Sequence, residues 1–210
     1  MTEIILARHG ETDWNAGEIF RGRVDVELNE TGVKQAELLA EYLSGIEIEA
    51  VYTSPLKRAL KTAGIIAGNH RVGVMVTHAL IDLDFGEWQG LSHQEVKAKY
   101  PGLYTEWVNH PERASLPAGE GLNDVRERAV SLVEGVVAQY KGRVIMVSHR
   151  VVNKVLICAL LGLDNSHFWN IKQDTCGITS FTCGNGRFIL TRHNDTSYLK
   201  SVAGAPLADF

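Results

Sequence analysis

A short apolar run that ends in charged residues constrains this sequence more than any other feature. Residues 4–7, Ile-Ile-Leu-Ala, have the length and composition of a buried strand in a parallel or mixed sheet. Arg8, His9 and Gly10 follow directly, so a cation, an imidazole and a flexible glycine stand at the carboxyl end of that strand. Sheets of this kind open toward their ligands at that edge. The pattern therefore predicts an α/β fold with a ligand site next to His9.

A second apolar strand further along the chain ends in the same way. Residues 144–148, Val-Ile-Met-Val-Ser, are followed directly by His149. If the two strands lie side by side and run in the same direction, His9 and His149 reach one cleft at the edge of the sheet. Arg58 lies near the start of a helix that follows another predicted strand. Arg8, Arg58 and the two imidazoles predict a site for a dianion such as phosphate, because buried cations need an anion to neutralise them.

Histidine beside arginine suits the transfer of a phosphoryl group. A histidine nucleophile attacks through a neutral ring nitrogen, and nearby arginines lower its pKa toward that neutral form. An in-line attack on phosphorus needs charge stabilisation on three equatorial oxygens, which Arg8, Arg58 and His149 are placed to supply. We therefore take His9 as the candidate nucleophile and the other three as its phosphate-binding partners.

The leaving oxygen needs a proton, and an acidic run in the middle of the chain is the expected source. Asp82 is the first candidate for this carboxylic acid, with Asp84 and Glu87 as alternatives in the same run. No group of His, Cys and acidic residues has the spacing typical of metal ligands. We therefore expect chemistry without a metal or another cofactor.

The rest of the chain predicts alternating strands and helices with one interruption. At 210 residues the sequence fits one domain, residues 1–210. Residues 80–121 break the alternation and predict a helical insertion, or lid, that folds over the sheet. Hydrophobic periodicity predicts further strands at 50–53, 73–77, 178–181 and 187–190, and helices at 33–43, 56–67, 92–100, 103–109, 122–136 and 151–161.

Charge and composition exclude several classes of partner. The formal net charge of -4 argues against nucleic acid or an anionic membrane surface as the main partner. No stretch is apolar enough for a membrane span, and the first residues lack the pattern of a signal peptide. Three cysteines, an odd number without close pairing, indicate a reducing compartment, so we expect a cytoplasmic protein. The sequence leaves a homodimer open.

Four ordered blocks of the sequence match one known pattern. They are Leu-Ala-Arg-His-Gly-Glu-Thr at 6–12 with Trp14-Asn15, Ser-Pro-Leu-Lys-Arg-Ala at 54–59 with Thr62-Ala63, residues 80–90, and Val-Ser-His at 147–149. Through these blocks the chain resembles the histidine phosphatase superfamily, in its phosphoglycerate mutase-like branch. The resemblance implies an α/β fold of three layers, α/β/α. It also implies a mostly parallel sheet with one antiparallel edge strand and a helical insertion over the active site.

The resemblance also implies roles for individual residues. His9 would be the nucleophile that is phosphorylated, and Asp82 falls where the family usually has a glutamate as proton donor. The residues implied to bind the phosphoryl group or the rest of the substrate are Arg8, Arg58, His149, Asn15, Arg21 and Gly22. Arg150 stands where the family's mutases have glycine. We interpret it either as a clamp for a substrate carboxylate or as a solvent-facing residue at a helix start.

Three functions follow from these expectations. The family's mutases grip a second phosphate with a lysine and paired arginines in a longer insertion, whereas residues 103–122 hold Arg113 as their one cation. Without that grip water should hydrolyse the phosphohistidine, so we expect a metal-independent phosphomonoester hydrolase acting on a small phosphorylated metabolite. A cofactor-dependent phosphoglycerate mutase is the first alternative. A catalytically silent phosphate-binding module is the second.

Overall fold

One six-stranded sheet forms the centre of the fold. The structure is a computed structural model that describes residues 1–16 and 18–200. Gly17 and the last ten residues of the predicted domain 1–210 lie outside the described residues. The strands are β1 (Thr2–Arg8), β2 (Ala50–Thr53), β3 (Val74–Val76), β4 (Arg143–Ser148), β5 (Ile178–Gly184) and β6 (Arg187–Asp195).

Helices occupy the segments between these strands. Short 3-10 turns, which the periodicity does not predict, lie at His78–Leu80, Gly86–Trp88, Asn165–Asn170 and Ser197–Leu199. The α-helices are α1 (Asp13–Ala16), α2 (Glu30–Leu43), α3 (Lys57–Gly68), α4 (His93–Lys99), α5 (Pro101–Asn109), α6 (Leu122–Gln139) and α7 (Arg150–Leu160). The six predicted helices correspond to α2–α7 to within a few residues. The four-residue α1 has too little periodicity to be predicted.

The order of the strands places β1 and β4 together at the centre of the sheet. The order is β3-β2-β4-β1-β5-β6, and the pairs β1–β4, β2–β4 and β2–β3 are parallel. β5 runs antiparallel to β1, and β6 runs antiparallel to β5, so this hairpin forms one edge. The prediction of a mostly parallel sheet with an antiparallel edge is confirmed. β6 continues past the predicted end at residue 190 because its pairing with β5 extends to Asp195.

The two faces of the sheet are covered by different helices, as the alternation of side chains along β1 requires. Ile4 and Leu6 pack into a cluster with residues of α6 and α7 on one face. Ile5 and Ala7 point the other way, into a cluster with residues of α2 and α3. Both clusters are buried, which explains why β1 and β4 have continuous apolar runs. The three-layer arrangement expected from the sequence is therefore the observed one.

Two glycines let the loop after β1 approach the start of α2. A Cβ added at Gly32 would lie 2.6 Å from the Glu11 nitrogen and closer still to its carbonyl oxygen. A Cβ at Gly10 would meet the carbonyl group of Gly32 from the other side. Asn29 caps α2 by accepting a hydrogen bond from the Gly32 nitrogen at 2.8 Å. The helix start therefore supports the backbone next to His9.

Substituting Gly32 by alanine should destabilise the fold because backbone atoms of Glu11 have to move. Overpacking of this kind costs about 1 to 3 kcal/mol of unfolding free energy. Gly135 in α6 is the matched control, since a Cβ there has open space around it. Gly135→Ala should instead stabilise by about 0.5 to 1 kcal/mol through helix propensity. Urea denaturation of both variants measures the contrast, and equal effects would contradict the close approach.

The segment 80–121 packs beside the loop that follows α1. Phe20 and the insertion are joined by hydrogen bonds from the Phe20 nitrogen to the Leu91 oxygen and from the Gly90 nitrogen to the Phe20 oxygen, both at 2.9 Å. Trp88 and Trp107 of this segment are fully buried in an aromatic cluster. The segment is thus part of the core cluster that covers one face of the sheet, and it is hydrogen-bonded to the loop that leads to Arg21.

Candidate active site

The two histidines follow neighbouring strands and lie against each other. Arg8 of β1 pairs with Ser148 of β4, so the next residue of each strand, His9 and His149, stands at the same edge. Their ring centroids are 5.2 Å apart with an interplanar angle of 58°. Both side chains are buried. The parallel pairing of two strands distant in the sequence therefore brings both imidazoles together.

A hydrogen bond to the backbone fixes the tautomer of His9. Its Nδ1 lies 2.6 Å from the carbonyl oxygen of Gly10, which can only accept, so the ring proton resides on Nδ1. Nε2 then carries the lone pair. Burial, followed by the charges of Arg58 and Arg8, holds the pKa of His9 well below its ordinary value. The ring is neutral near pH 7 and has a nucleophilic nitrogen available.

His149 stands between a hydroxyl group and a carboxylate. Its Nε2 lies 2.7 Å from Ser54 Oγ, and its Nδ1 lies 3.6 Å from Asp82 Oδ2. Burial and then Arg58 hold the pKa of His149 well below the ordinary value, with His9 as a further cause. Ser54 was not among the predicted site residues. Its position in the motif 54–59 was the available signal, but the motif alone does not reveal its partner.

Arg58 forms hydrogen bonds to residues 22–24 and to Asp82, and its charge acts on both histidines. It is fully buried, and its Nη groups donate to the carbonyl oxygens of Gly22 at 2.7 Å and Val24 at 2.9 Å. Nη2 also donates to Asp82 Oδ2 at 3.3 Å. Burial lowers the pKa of Arg58, and the negative charge of Asp82 opposes that shift. Gly22 has a φ of 51°, and a Cβ there would clash with the Gln89 side chain, so the turn requires glycine.

Arg8 and Asn15 are held by bonds that fix their direction. Arg8 Nη1 donates to the carbonyl oxygen of Gln173 at 2.6 Å. Asn15 Oδ1 accepts two hydrogen bonds at 2.9 Å, from the nitrogen and the hydroxyl group of Thr12. The amide oxygen of Asn15 is thereby occupied, and the residue lines the pocket described below. Gln173 is a further supporting residue that was not among the predicted site residues.

A pocket next to Asp82 collects six of the nine predicted residues, whereas His9, Arg58 and His149 are not among those that line it. It is lined by Arg8, Asn15, Arg21, Gly22, Asp82 and Arg150, together with Glu18, Ile19, Phe20, Phe85, His93 and Val151. The alternative acids lie elsewhere in the hydrogen-bond network. Asp84 pairs with Arg23 at 3.4 Å, and the exposed Glu87 accepts a hydrogen bond from Tyr100 at 2.6 Å. Of the three candidate acids, the structure brings Asp82 to the histidines.

Two further findings concern metal binding and membrane insertion. Within the described ranges, no group of three or more His, Cys, Asp or Glu side chains is arranged to hold a metal ion. Among the same residues, no helix has the length and apolar character needed to cross a membrane.

Acid should destabilise the protein through the two site histidines. Their pKa values are held down in the folded state and return to about 6.5 on unfolding, so the unfolded state binds more protons in acid. The stability they confer is present above about pH 7.5 and is lost progressively as the pH drops through about 6.5 to about 5.5. Urea titrations at both pH values measure the loss. A His9→Gln/His149→Gln double variant that loses as much stability as the wild type would contradict this origin.

Comparison with known proteins places this geometry in a family. The family model for the histidine phosphatase superfamily (branch 1) matches residues 4–196. The chain is 36% identical over 200 residues to Phosphoserine phosphatase 1 of Hydrogenobacter thermophilus, covering 95% of each chain. It is 32% identical over 206 residues to a metal-independent phosphoserine phosphatase of Arabidopsis thaliana, covering 96% of this chain and 85% of the relative.

The fold has a close match among solved structures. The structure of Bacillus stearothermophilus YhfR superposes with a TM-score of 0.91 at 30% sequence identity, covering 95% of this chain and 100% of that one. The matches extend across the strands and helices that position both histidines. They confirm the expected family and enzyme class: the chain belongs to the histidine phosphatase superfamily, branch 1, as a phosphatase.

Proposed function

We propose that this phosphatase hydrolyses small phosphomonoesters through a phosphohistidine intermediate on His9, without a metal ion. One observation carries the proposal: a buried, neutral His9 has Nε2 available, while Arg8, Arg58 and His149 stand around it. A neutral nitrogen attacks phosphorus, and cations around it stabilise the charge of the transferring group. The phosphoserine phosphatases among the relatives make a small phosphorylated metabolite the expected substrate.

In the first step the phosphoryl group passes from the substrate to His9. Arg8, Arg58 and the Asn15 amide hold its equatorial oxygens while His9 Nε2 forms a bond to phosphorus. The ester P–O bond breaks, and its electron pair stays on the leaving oxygen. The Asp82 carboxyl group gives that oxygen a proton. Asp82 is supported in this role by its place in the pocket and its 3.6 Å distance from His149.

In the second step water releases phosphate from the intermediate. The Asp82 carboxylate formed in the first step takes a proton from a water molecule as that water attacks phosphorus. The P–N bond breaks, and its electron pair returns to His9 Nε2. His149, neutral and held by Ser54, stays beside the transferring group throughout. Both groups return to their starting protonation states, so the cycle needs no cofactor.

The structure favours hydrolysis over both alternatives, the phosphoglycerate mutase and the silent phosphate-binding module. A mutase has to hold a bisphosphate, but Arg113 of the insertion is an exposed residue that pairs with Glu112 at 3.1 Å. It is not among the residues lining the pocket. A silent binding module would not need a neutral nucleophile with a carboxyl group nearby. We therefore propose that water, and not a second substrate hydroxyl, receives the phosphoryl group.

The intermediate can be trapped directly. The full-length protein is mixed with radiolabelled phosphoserine, quenched in alkali within milliseconds to seconds, and digested, because phosphohistidine survives alkali and is lost in acid. We expect one labelled peptide, the one that contains His9. Turnover should continue in excess chelator, and 3-phosphoglycerate should give phosphate rather than 2-phosphoglycerate. A label on another residue, loss of turnover with the chelator, or fast isomerisation would each refute a stated part of the proposal.

A further inference from the structure

A chain of ion pairs joins two loops beside the candidate active site. Glu120, two residues before α6, binds Arg23 through Oε1 at 2.7 Å and Arg128 of α6 through Oε2 at 3.2 Å. Arg23 also pairs with Asp84 at 3.4 Å. These side chains expose between 20% and 35% of their surface, so water screens their charges less than it screens charges on the open surface. The ion pairs therefore link residue 23, residue 84 and α6.

Arg128 and Glu120 bind the main chain around Asp82. Arg128 Nη1 donates to the carbonyl oxygen of Ala79 at 2.8 Å, and its Nη2 donates to that of Asp82 at 3.3 Å. The backbone nitrogen of Asp84 donates to Glu120 Oε2 at 3.2 Å, and the carbonyl oxygen of Asp84 accepts from the Glu120 nitrogen at 2.9 Å. The ion pair between Arg128 and Glu120 thus holds residues 79–84 on both sides of the proposed proton donor.

The carboxyl group of Asp82 is tied closely to its own main chain. Its Oδ1 accepts a hydrogen bond from the next backbone nitrogen, that of Leu83, at 3.0 Å. Its Oδ2 lies 3.3 Å from Arg58 Nη2 and 3.6 Å from His149 Nδ1. Because one methylene group separates this carboxyl group from the backbone, a shift of the backbone also moves the carboxyl group. A displacement of about 1 Å is enough to lower a rate by about 100-fold.

Arg23 connects the same carboxylate, Glu120, to residues 21–24, which we call the pocket loop. Arg58 donates to the carbonyl oxygens of Gly22 and Val24, the residues on either side of Arg23. Gly22 lines the pocket. The pocket loop is therefore held by the buried Arg58 and, through the guanidinium of Arg23, by Glu120.

We propose that Glu120, Arg23 and Arg128 are positioning residues that hold Asp82 and the pocket loop in a fixed relation to each other. The inference rests on the proposed function, because that function makes Asp82 the proton donor. The three residues are not among those that line the pocket, so they act through the groups that they bind. Arg128 sets the position of the donor, Arg23 sets that of the pocket loop, and Glu120 joins the two.

The test uses kcat/KM, which reports the steps up to the phosphohistidine, for phosphoserine and for p-nitrophenyl phosphate. Arg128→Gln should lower it about 10- to 100-fold for phosphoserine and about threefold at most for p-nitrophenyl phosphate, whose leaving group needs no proton. Arg23→Gln should lower it equally for both substrates, because the pocket loop binds the substrate whatever its leaving group. Glu120→Gln should show both effects. In the Asp82→Asn protein, Arg128→Gln should add no further selectivity, because the donor that it positions is gone.

The matched control is Arg143→Gln. Arg143 forms a comparable ion pair with Glu3 at 2.7 Å, at the amino ends of β4 and β1, away from the site at their carboxyl ends. Its substitution should leave kcat/KM for both substrates within about twofold of the wild type. Arg128→Lys keeps the charge beside Glu120 but loses the guanidinium fork, so it should show a smaller loss of the same selectivity. This variant keeps the test decisive if the Arg128→Gln protein does not fold.

The results for Asp82→Asn separate this inference from the proposed function. Suppose that Asp82→Asn is selective against phosphoserine while the Arg128 variants slow both substrates equally. The positioning role would then be overturned, and the proposed donor would stand. Additional selectivity from Arg128→Gln in the Asp82→Asn protein would overturn that role as well. If Asp82→Asn itself were unselective, the proposed donor would fail, and the inference would fail with it.

Discussion

Replacing His9 by alanine should lower kcat for p-nitrophenyl phosphate by on the order of 10⁴-fold or more, since the proposed mechanism forms its covalent bond to phosphorus at His9 Nε2. The neighbouring imidazole cannot take over, because His149 Nε2 is engaged with Ser54 Oγ at 2.7 Å. The fold should persist, because the backbone nitrogen of His9 keeps its hydrogen bond to the Ser148 oxygen at 3.0 Å. Steady-state kinetics and circular dichroism measure the two effects.

The matched control for this substitution is His167→Ala. His167 is a partly exposed histidine on the 3-10 turn Asn165–Asn170 and pairs with Asp164 at 3.3 Å. Its loss should leave turnover within about twofold of the wild type, as is usual for surface positions. Near-wild-type activity of the His9→Ala protein would show that His9 is not the nucleophile.

Substitution of Asp82 by asparagine should slow esters with poor leaving groups far more than esters with good ones. General acid catalysis contributes about 10²- to 10⁴-fold when the leaving oxygen needs a proton. An alkyl phosphate such as phosphoserine should show most of that loss, whereas p-nitrophenolate leaves without help. The ratio of kcat for the two substrates is the measurement. The asparagine oxygen can still accept from Arg58, so Arg58 keeps its partner.

Glu87→Gln and Asp84→Asn test whether the proton comes from the other acids of the run. Glu87 is exposed and bound to Tyr100, and Asp84 pairs with Arg23. Glu87→Gln should leave the dependence on the leaving group unchanged. If Asp82→Asn lowered kcat equally for both substrates, Asp82 would have a structural role and another group would be the proton donor.

The strands and the residues at their ends could be predicted because both signals are local. The apolar run before His9 and the one before His149 mark buried strands, and ligands gather at the carboxyl ends of parallel strands. Arg58 is the second residue of α3, the helix that follows β2. The six predicted helices agree with the structure because their apolar positions recur with helical spacing.

The partners of the site residues could not be predicted, since they depend on which distant segments meet. Ser54 binds His149 across 95 positions of sequence, and the Gln173 carbonyl binds Arg8 across 165. Neither Ser54 nor Gln173 has a side chain or backbone group that indicates its partner before the fold is known. The sequence puts Asp82 first among the acids of one run, but its contacts with Arg58 and His149 could be seen in the structure alone. The packing of distant segments decides which of several chemically similar residues becomes the partner of a site residue.

The strand order has a consequence for how the protein is made. β1 pairs on one side with β4 and on the other with β5, and both of those strands are synthesised long after it. Until the ribosome has produced residues 143–148, β2 and β3 are the only neighbouring strands of the described sheet that are both present. The apolar β1 then presents two open edges to the cell, which favours association with other chains and slows folding. Chaperone dependence during synthesis is the expected result of a central strand that precedes both of its neighbours in the sequence.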